Sequence, residues 1–208
     1  MNCNDDVLSS LESNKRDKKV AINDIAISKV PFIEYKSISA DHYETLHYLA
    51  KAVLQISKDE NDSNEIAIVY DLDSPFIVGN SDDYIAWARG DEDSVDPASD
   101  TETNHILVSA KGCVIVVLHN HPNLSKVSLE DVAFLLKYAA VKMIVAVTNR
   151  GSIGYVVKSE KYDRLKALET LRTAIDMNNS AKNLQEKQDA SDYFIKNCYQ
   201  AGLLYDDK

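Results

Sequence analysis

A chain of 208 residues can bury a substantial core but is too short for an eight-fold β/α barrel, which takes about 250. Its 23 Lys and Arg against 33 Asp and Glu leave a net charge of −10, so its surface repels phosphate backbones and a nucleic-acid partner is not expected. Cys3, Cys113 and Cys198 are too scattered for a disulfide framework, and no apolar run reaches the roughly 18 residues of a membrane span. The polar start MNCNDDVLSS is unlike a signal peptide, and a soluble cytoplasmic protein is expected. The basic run NKRDKK reads as solvated chain, and Cys113, inside an apolar run, as a small buried hydrophobe.

Residues 1–30 carry no strong hydrophobic period and read as a loose tail leading into a strand near VPFIEYKSI. From Ala40, the residues Tyr43, Leu46, Leu49, Ala50, Val53, Leu54 and Ile56 recur at helical spacing, with Ser39 or Asp41 as cap and an end near Lys58. The linker DENDSN leads to EIAIVYDL, a strand, and SPFIVGN reads as its partner. Residues 80–101 are acidic and turn-rich, the pattern of a long surface loop that selects a ligand. ETNHILVSAK predicts a short helix ended by Gly112. CVIVVLH is continuously apolar, as in a central strand covered on both faces. Ser128 caps a helix through LEDVAFLLKYAAV, and KMIVAVTN and SIGYVVK are strands around an NRG turn. From Ser159 onward two amphipathic helices are expected, with Leu165, Leu168, Leu171, Phe194 and Tyr199 as a packing stripe against the sheet or a partner. The expected fold is thus mixed α/β: one mixed sheet flanked by helices (31–158), preceded by the tail and followed by a helical extension (159–208).

The stretch VIVVLHNHPNLSKVSLEDV carries the chemistry. Residues i and i+2 of a strand share a face, so His119 and His121 can aim two imidazoles at one point. Asp131, at the start of the next helix, is the most economical third ligand. Three protein ligands with a position left to water describe a catalytic zinc, which lowers the pKa of that water toward neutrality. A carboxylate is still needed to move the proton. Ser128 has two compatible roles, helix cap and donor to an oxyanion. His42, His47 and His105 lie on predicted helices and read as surface or packing residues, while Trp87 suits either a groove wall or a loop anchor.

The pattern His-x-His-x6-Ser-x2-Asp, beginning LHNHP, resembles the JAB/MPN (JAMM) metalloprotease motif, and within it the RadC-like bacterial branch. The resemblance covers roughly residues 40–158 in the order of helices and strands. The family usually has seven residues where this chain has six between His121 and Ser128. It implies a cytidine-deaminase-like sheet, Zn2+ held by His119, His121 and Asp131, hydrolysis of a peptide or isopeptide bond in a protein or peptide substrate, and an upstream glutamate as acid/base. Glu65 stands where the first helix gives way to the following strand and takes that role, with Glu102 as competitor, although the helix dipole accounts for Glu102. The second reading is an inactive MPN-like scaffold whose C-terminal helices dock a partner protein. An HNH nuclease fits worse, because its three residues are dispersed over a ββα motif, and an amidohydrolase barrel needs a longer chain.

Overall fold

The computed structural model describes residues 19–74, 85–123 and 125–208. Among the described residues six strands form one sheet: β1 (Ile66–Asp71), β2 (Trp87–Arg89), β3 (Ile115–His121), β4 (Val141–Thr148), β5 (Ile153–Lys158) and β6 (Leu203–Asp207), in the order β2-β1-β3-β4-β5-β6. Of these strands β3 and β4 run parallel, and the other neighbouring pairs are antiparallel. The helices are α1 (Asp24–Lys29), α2 (Tyr43–Glu60), α3 (Thr101–Ser109), α4 (Leu129–Lys137), α5 (Arg164–Ser180) and α6 (Leu184–Asn197). The protein is therefore mixed α/β, with a mixed sheet between helical layers.

Period-two alternation sorts the strands onto two cores. Ala67, Val69, Ile115, Val117, Ile144 and Val156 face α4, α5 and α6. Ile66, Ile68, Tyr70, Val116, Leu118, Val145 and Tyr155 face α2 and the segment before it. All seven residues of β3 are buried: the apolar run Ile115–Leu118 as in a strand covered on both faces, and His119, Asn120 and His121 with it. In α4, Leu129, Val132, Leu135 and Leu136 bury one stripe against the sheet, each contributing about 1.5–3 kcal/mol. The helix ends at Lys137, short of the predicted Val141, because β4 is parallel to β3 and Val141 already pairs with Ile115.

Several expectations are corrected. No strand forms at VPFIEYKSI: Pro31 lacks a ladder donor, and Val30, Ile33, Tyr35 and Ile38 instead pack as irregular chain into the α2 core. The chain before residue 30 is not loose from residue 19 onward, since Asn23 caps α1 by accepting from the Ala26 N–H and the Val20 N–H reaches the Pro122 carbonyl. Neither Ser39 nor Asp41 caps α2; a 3-10 turn over Ala40–His42 leads into it, and the Ser39 hydroxyl meets the Asp41 carboxylate. The predicted partner strand SPFIVGN falls largely outside the described residues, and the partner observed on β1's outer side is β2. After Ser159 the two helices form as expected, but the chain then returns as β6, an edge strand whose Asp206 and Asp207 hid it from propensity. In the expected stripe Leu168, Leu171 and Phe194 are buried, whereas Leu165 and Tyr199 are exposed.

Lys158 is a buried cation at the end of β5. Its ammonium donates to the Tyr138 carbonyl at 3.2 Å and sits over the Tyr162 ring. Burial lowers its pKa from 10.5 to about 8. A cation depressed in the folded state destabilises the fold below the folded value, and this cost fades as pH rises from about 8 toward 10.5. Lys158→Met is therefore expected to raise the melting temperature at pH 7 and to gain less at pH 9.5, which paired thermal melts would show.

Candidate metal centre

His119 and His121 close β3 on the face that α4 covers, at the carboxyl ends of the parallel pair β3 and β4, where open α/β sheets place their ligand sites. Asp131 reaches the same point from the first turn of α4. The ligating atoms of all three lie within 4.8 Å of one another. His119 Nε2 is 3.0 Å from Asp131 Oδ1, His121 Nε2 is 3.4 Å from Oδ2, and the two Nε2 atoms are 2.8 Å apart. Burial pushes the Asp131 carboxyl up, but the two imidazoles outweigh it and hold the group well below the usual carboxylate range.

The backbone of the helix start sets this geometry. Ser128 caps α4 by accepting from the Asp131 N–H at 3.1 Å, and its own N–H donates to Asp131 Oδ2 at 2.7 Å. The carboxylate is thereby fixed before any ligand arrives. Of the two roles open to Ser128, the cap is the one displayed, and Ser128 is not among the residues lining the adjoining cleft.

His121 shows why the donors suit a cation. Its Nδ1 is 3.0 Å from the Ser125 carbonyl, which can only accept, so Nδ1 carries a proton. In the neutral ring Nε2 is then a lone pair, and it faces a carboxylate oxygen and a second imidazole nitrogen. Acceptors converging on one point need a positive charge among them, from a bound metal or from imidazolium. Ser125 thus orients the ring of a candidate ligand, the kind of outer partner that metal-binding histidines generally have. Its hydroxyl also bonds Asn123 Oδ1 and lies 3.1 Å from His121 Nδ1. His119 Nδ1 is buried with no hydrogen-bond partner among the described residues.

A cleft of about 450 Å³ opens beside the triad, lined among others by Glu65, His119, Asp131, Val117 and Phe134. Glu65 is buried, two residues before Ala67, which pairs with His119 across β1 and β3; alternation therefore puts Glu65 and His119 on one face. Its backbone is held on both sides. The N–H donates to the Asp91 carbonyl at 2.8 Å, and the carbonyl accepts from the Gly90 N–H and Asn61 Nδ2, each at 2.9 Å. Gly90 is required here, since a Cβ would meet Val95 Cβ at 2.7 Å and collide with the Ser94 carbonyl. The competitor Glu102 is exposed in the first turn of α3 and does not line the cleft.

The remaining candidates are structural. His42 Nδ1 meets the Tyr70 hydroxyl, His47 Nε2 the Val30 carbonyl, and His105 is exposed. Trp87 packs on the α2 side of the sheet beneath the Arg89 guanidinium and does not line the cleft. Sequence reasoning overlooked Ser125, Asn61 and Asn120. Asn120 had a signal, since a polar residue inside a doubly covered strand needs buried partners.

Comparison with protein-family models, curated proteins and solved structures finds no match to this chain.

The intact chain, dialysed against zinc and then against buffer, is expected to retain about one equivalent by elemental analysis, and the His119→Ala, His121→Ala double variant none. Equal retention by both would remove the centre.

Proposed function

We propose that the protein is a zinc-dependent hydrolase of the JAB/MPN (JAMM) type, closest to its RadC-like branch, which cleaves a peptide or isopeptide bond in a protein or peptide substrate. The observation that carries this reading is the lining of one cleft by Glu65 together with His119 and Asp131, beside three converging ligand atoms.

In this reading His119, His121 and Asp131 hold the metal. Zinc so bound supplies a water of near-neutral pKa and a Lewis acid for the scissile carbonyl. Glu65 accepts the proton of the attacking water and returns it to the departing amine, a general acid/base role that needs a carboxylate on the cleft wall. Ser125 keeps the His121 ring in the tautomer that offers Nε2. Ser128 holds Asp131 through the reciprocal cap of α4. The apolar walls given by Val117, Ala133, Phe134 and Ile144 help exclude bulk water from the reacting atoms.

The test is hydrolysis of peptide and Lys-isopeptide substrates by zinc-loaded protein. Glu65→Gln is expected to lower kcat by about 100-fold or more while zinc content stays unchanged, and Glu102→Gln to leave kcat intact. Full activity in Glu65→Gln would end the proposed role of Glu65. Zinc binding without hydrolysis of any substrate would favour the scaffold reading, with a partner docking on the C-terminal helices.

A further inference from the structure

Asn120 lies between the two histidines in sequence and points the opposite way. It is fully buried on the α2 face of β3. Its Oδ1 accepts the Ile66 N–H at 2.9 Å. Its amide group lies 3.1 Å from Ser57 Oγ, 3.1 Å from the Asn64 carbonyl and 2.9 Å from Asn149 Oδ1. Asn149 in turn donates its side-chain amide to the Val20 and Ser63 carbonyls and its backbone N–H to the His121 carbonyl.

The location of the first of these bonds matters. The paired register of β1 and β3 runs from Asp71 opposite Ile115 to Ala67 opposite His119 and stops there. At the next residue the Ile66 N–H goes to the Asn120 side chain, where a regular ladder would use β3 backbone. Ile66 is bonded directly to Glu65. The ties that hold the Glu65 segment to the histidine strand beyond the register, at Ile66 and at the Asn64 carbonyl, are therefore made by one side chain, and it belongs to the residue whose two neighbours are the proposed ligands.

We infer that Asn120 is a positioning residue: it fixes the Glu65 end of β1 against the ligand end of β3 and so sets the carboxylate's reach to the metal centre. This rests on the reading of Glu65 as acid/base. The position suits asparagine because it needs one acceptor and donors together without charge; aspartate would put a carboxylate against the Asn64 and Asn149 oxygens, and an apolar residue would leave the Ile66 N–H unmatched. A misplacement of about 1 Å at a catalytic group is enough to cost up to 100-fold in rate.

The experiment compares Asn120→Ala with Asn149→Ala in the full zinc-loaded chain. Asn149→Ala breaks the same network yet leaves the Asn120 to Ile66 bond in place. Three readouts are taken: zinc content, hydrogen exchange of the Ile66 amide, and kcat with KM. Asn120→Ala should keep its zinc, lower kcat about tenfold or more at little-changed KM, and speed Ile66 exchange about tenfold or more while β5 amides stay protected. Asn149→Ala should lose melting temperature but keep kcat and Ile66 protection. Equal losses of kcat in both variants, loss of zinc from Asn120→Ala, or unchanged Ile66 exchange would overturn the inference. If Asn120→Ala does not fold, Asn120→Thr, which keeps volume and one donor, is read the same way. Failure of the hydrolase reading would show separately, as no turnover by the unaltered chain; Ile66 exchange would then decide alone whether Asn120 makes the tie.

Discussion

The site depends on β3 being buried on both faces. Its side chains alternate between two packed cores, so the strand has one register, and a slip by one residue would exchange His119 and His121 for Leu118 and Asn120 on the α4 face. Such a slip would also set two imidazoles into the α2 core and strip Asn120 of its buried partners. Each unmatched buried polar group costs about 1–3 kcal/mol, and several would be lost together. The same alternation that defines the core thus fixes where the two imidazoles point.

Around that strand the electrostatics are arranged from the backbone outward. A carboxylate that is 13 % exposed between two imidazoles is costly to desolvate, and opposite charge alone does not always repay that cost. Here the cost is offset in three ways. The Ser128 N–H donates to Asp131, the carboxylate sits in the first turn of α4 where the helix dipole favours a negative charge, and the histidines share its two oxygens. On the side away from the site, Asn120 and Asn149 link α2, β1, β3 and the turn after β4 by hydrogen bonds without charge. At this end of the sheet, charge lies on the cleft face and neutral amides on the other.

How much of this was legible in the sequence follows from how local each feature is. His119, His121, Ser128 and Asp131 lie within one strand and one loop, so spacing and caps were enough to bring them together on paper. Glu65 is far away in sequence, and it was reached through a family resemblance; the β1 to β3 pairing now supplies the physical reason it shares a face with His119. The long apolar strands and amphipathic helices were legible because their periods are. β6 was not, because its residues Leu203–Asp207 are held by register with β5 and not by propensity. Asn120 was passed over because its meaning depends on four partners contributed by distant parts of the chain.

The acidic segment before α3 changes its meaning once its hydrogen bonds are known. In sequence its aspartates and turn residues read as a surface loop that selects a ligand. In the fold, Asp91 Oδ1 accepts from the Asp93 and Ser94 N–H groups, Asp96 Oδ1 from Ala98, and Asp100 Oδ1 from Glu102 and Thr103 as the cap of α3. Backbone donors hold the carboxyls of Asp91 and Asp100 below their ordinary values. These groups are occupied in building successive turns, which is why the sequence is rich in aspartate and not in glutamate. Asp91 in turn presents the carbonyl that receives the Glu65 N–H. The segment's acidity is thus tied first to shaping the cleft wall and placing Glu65.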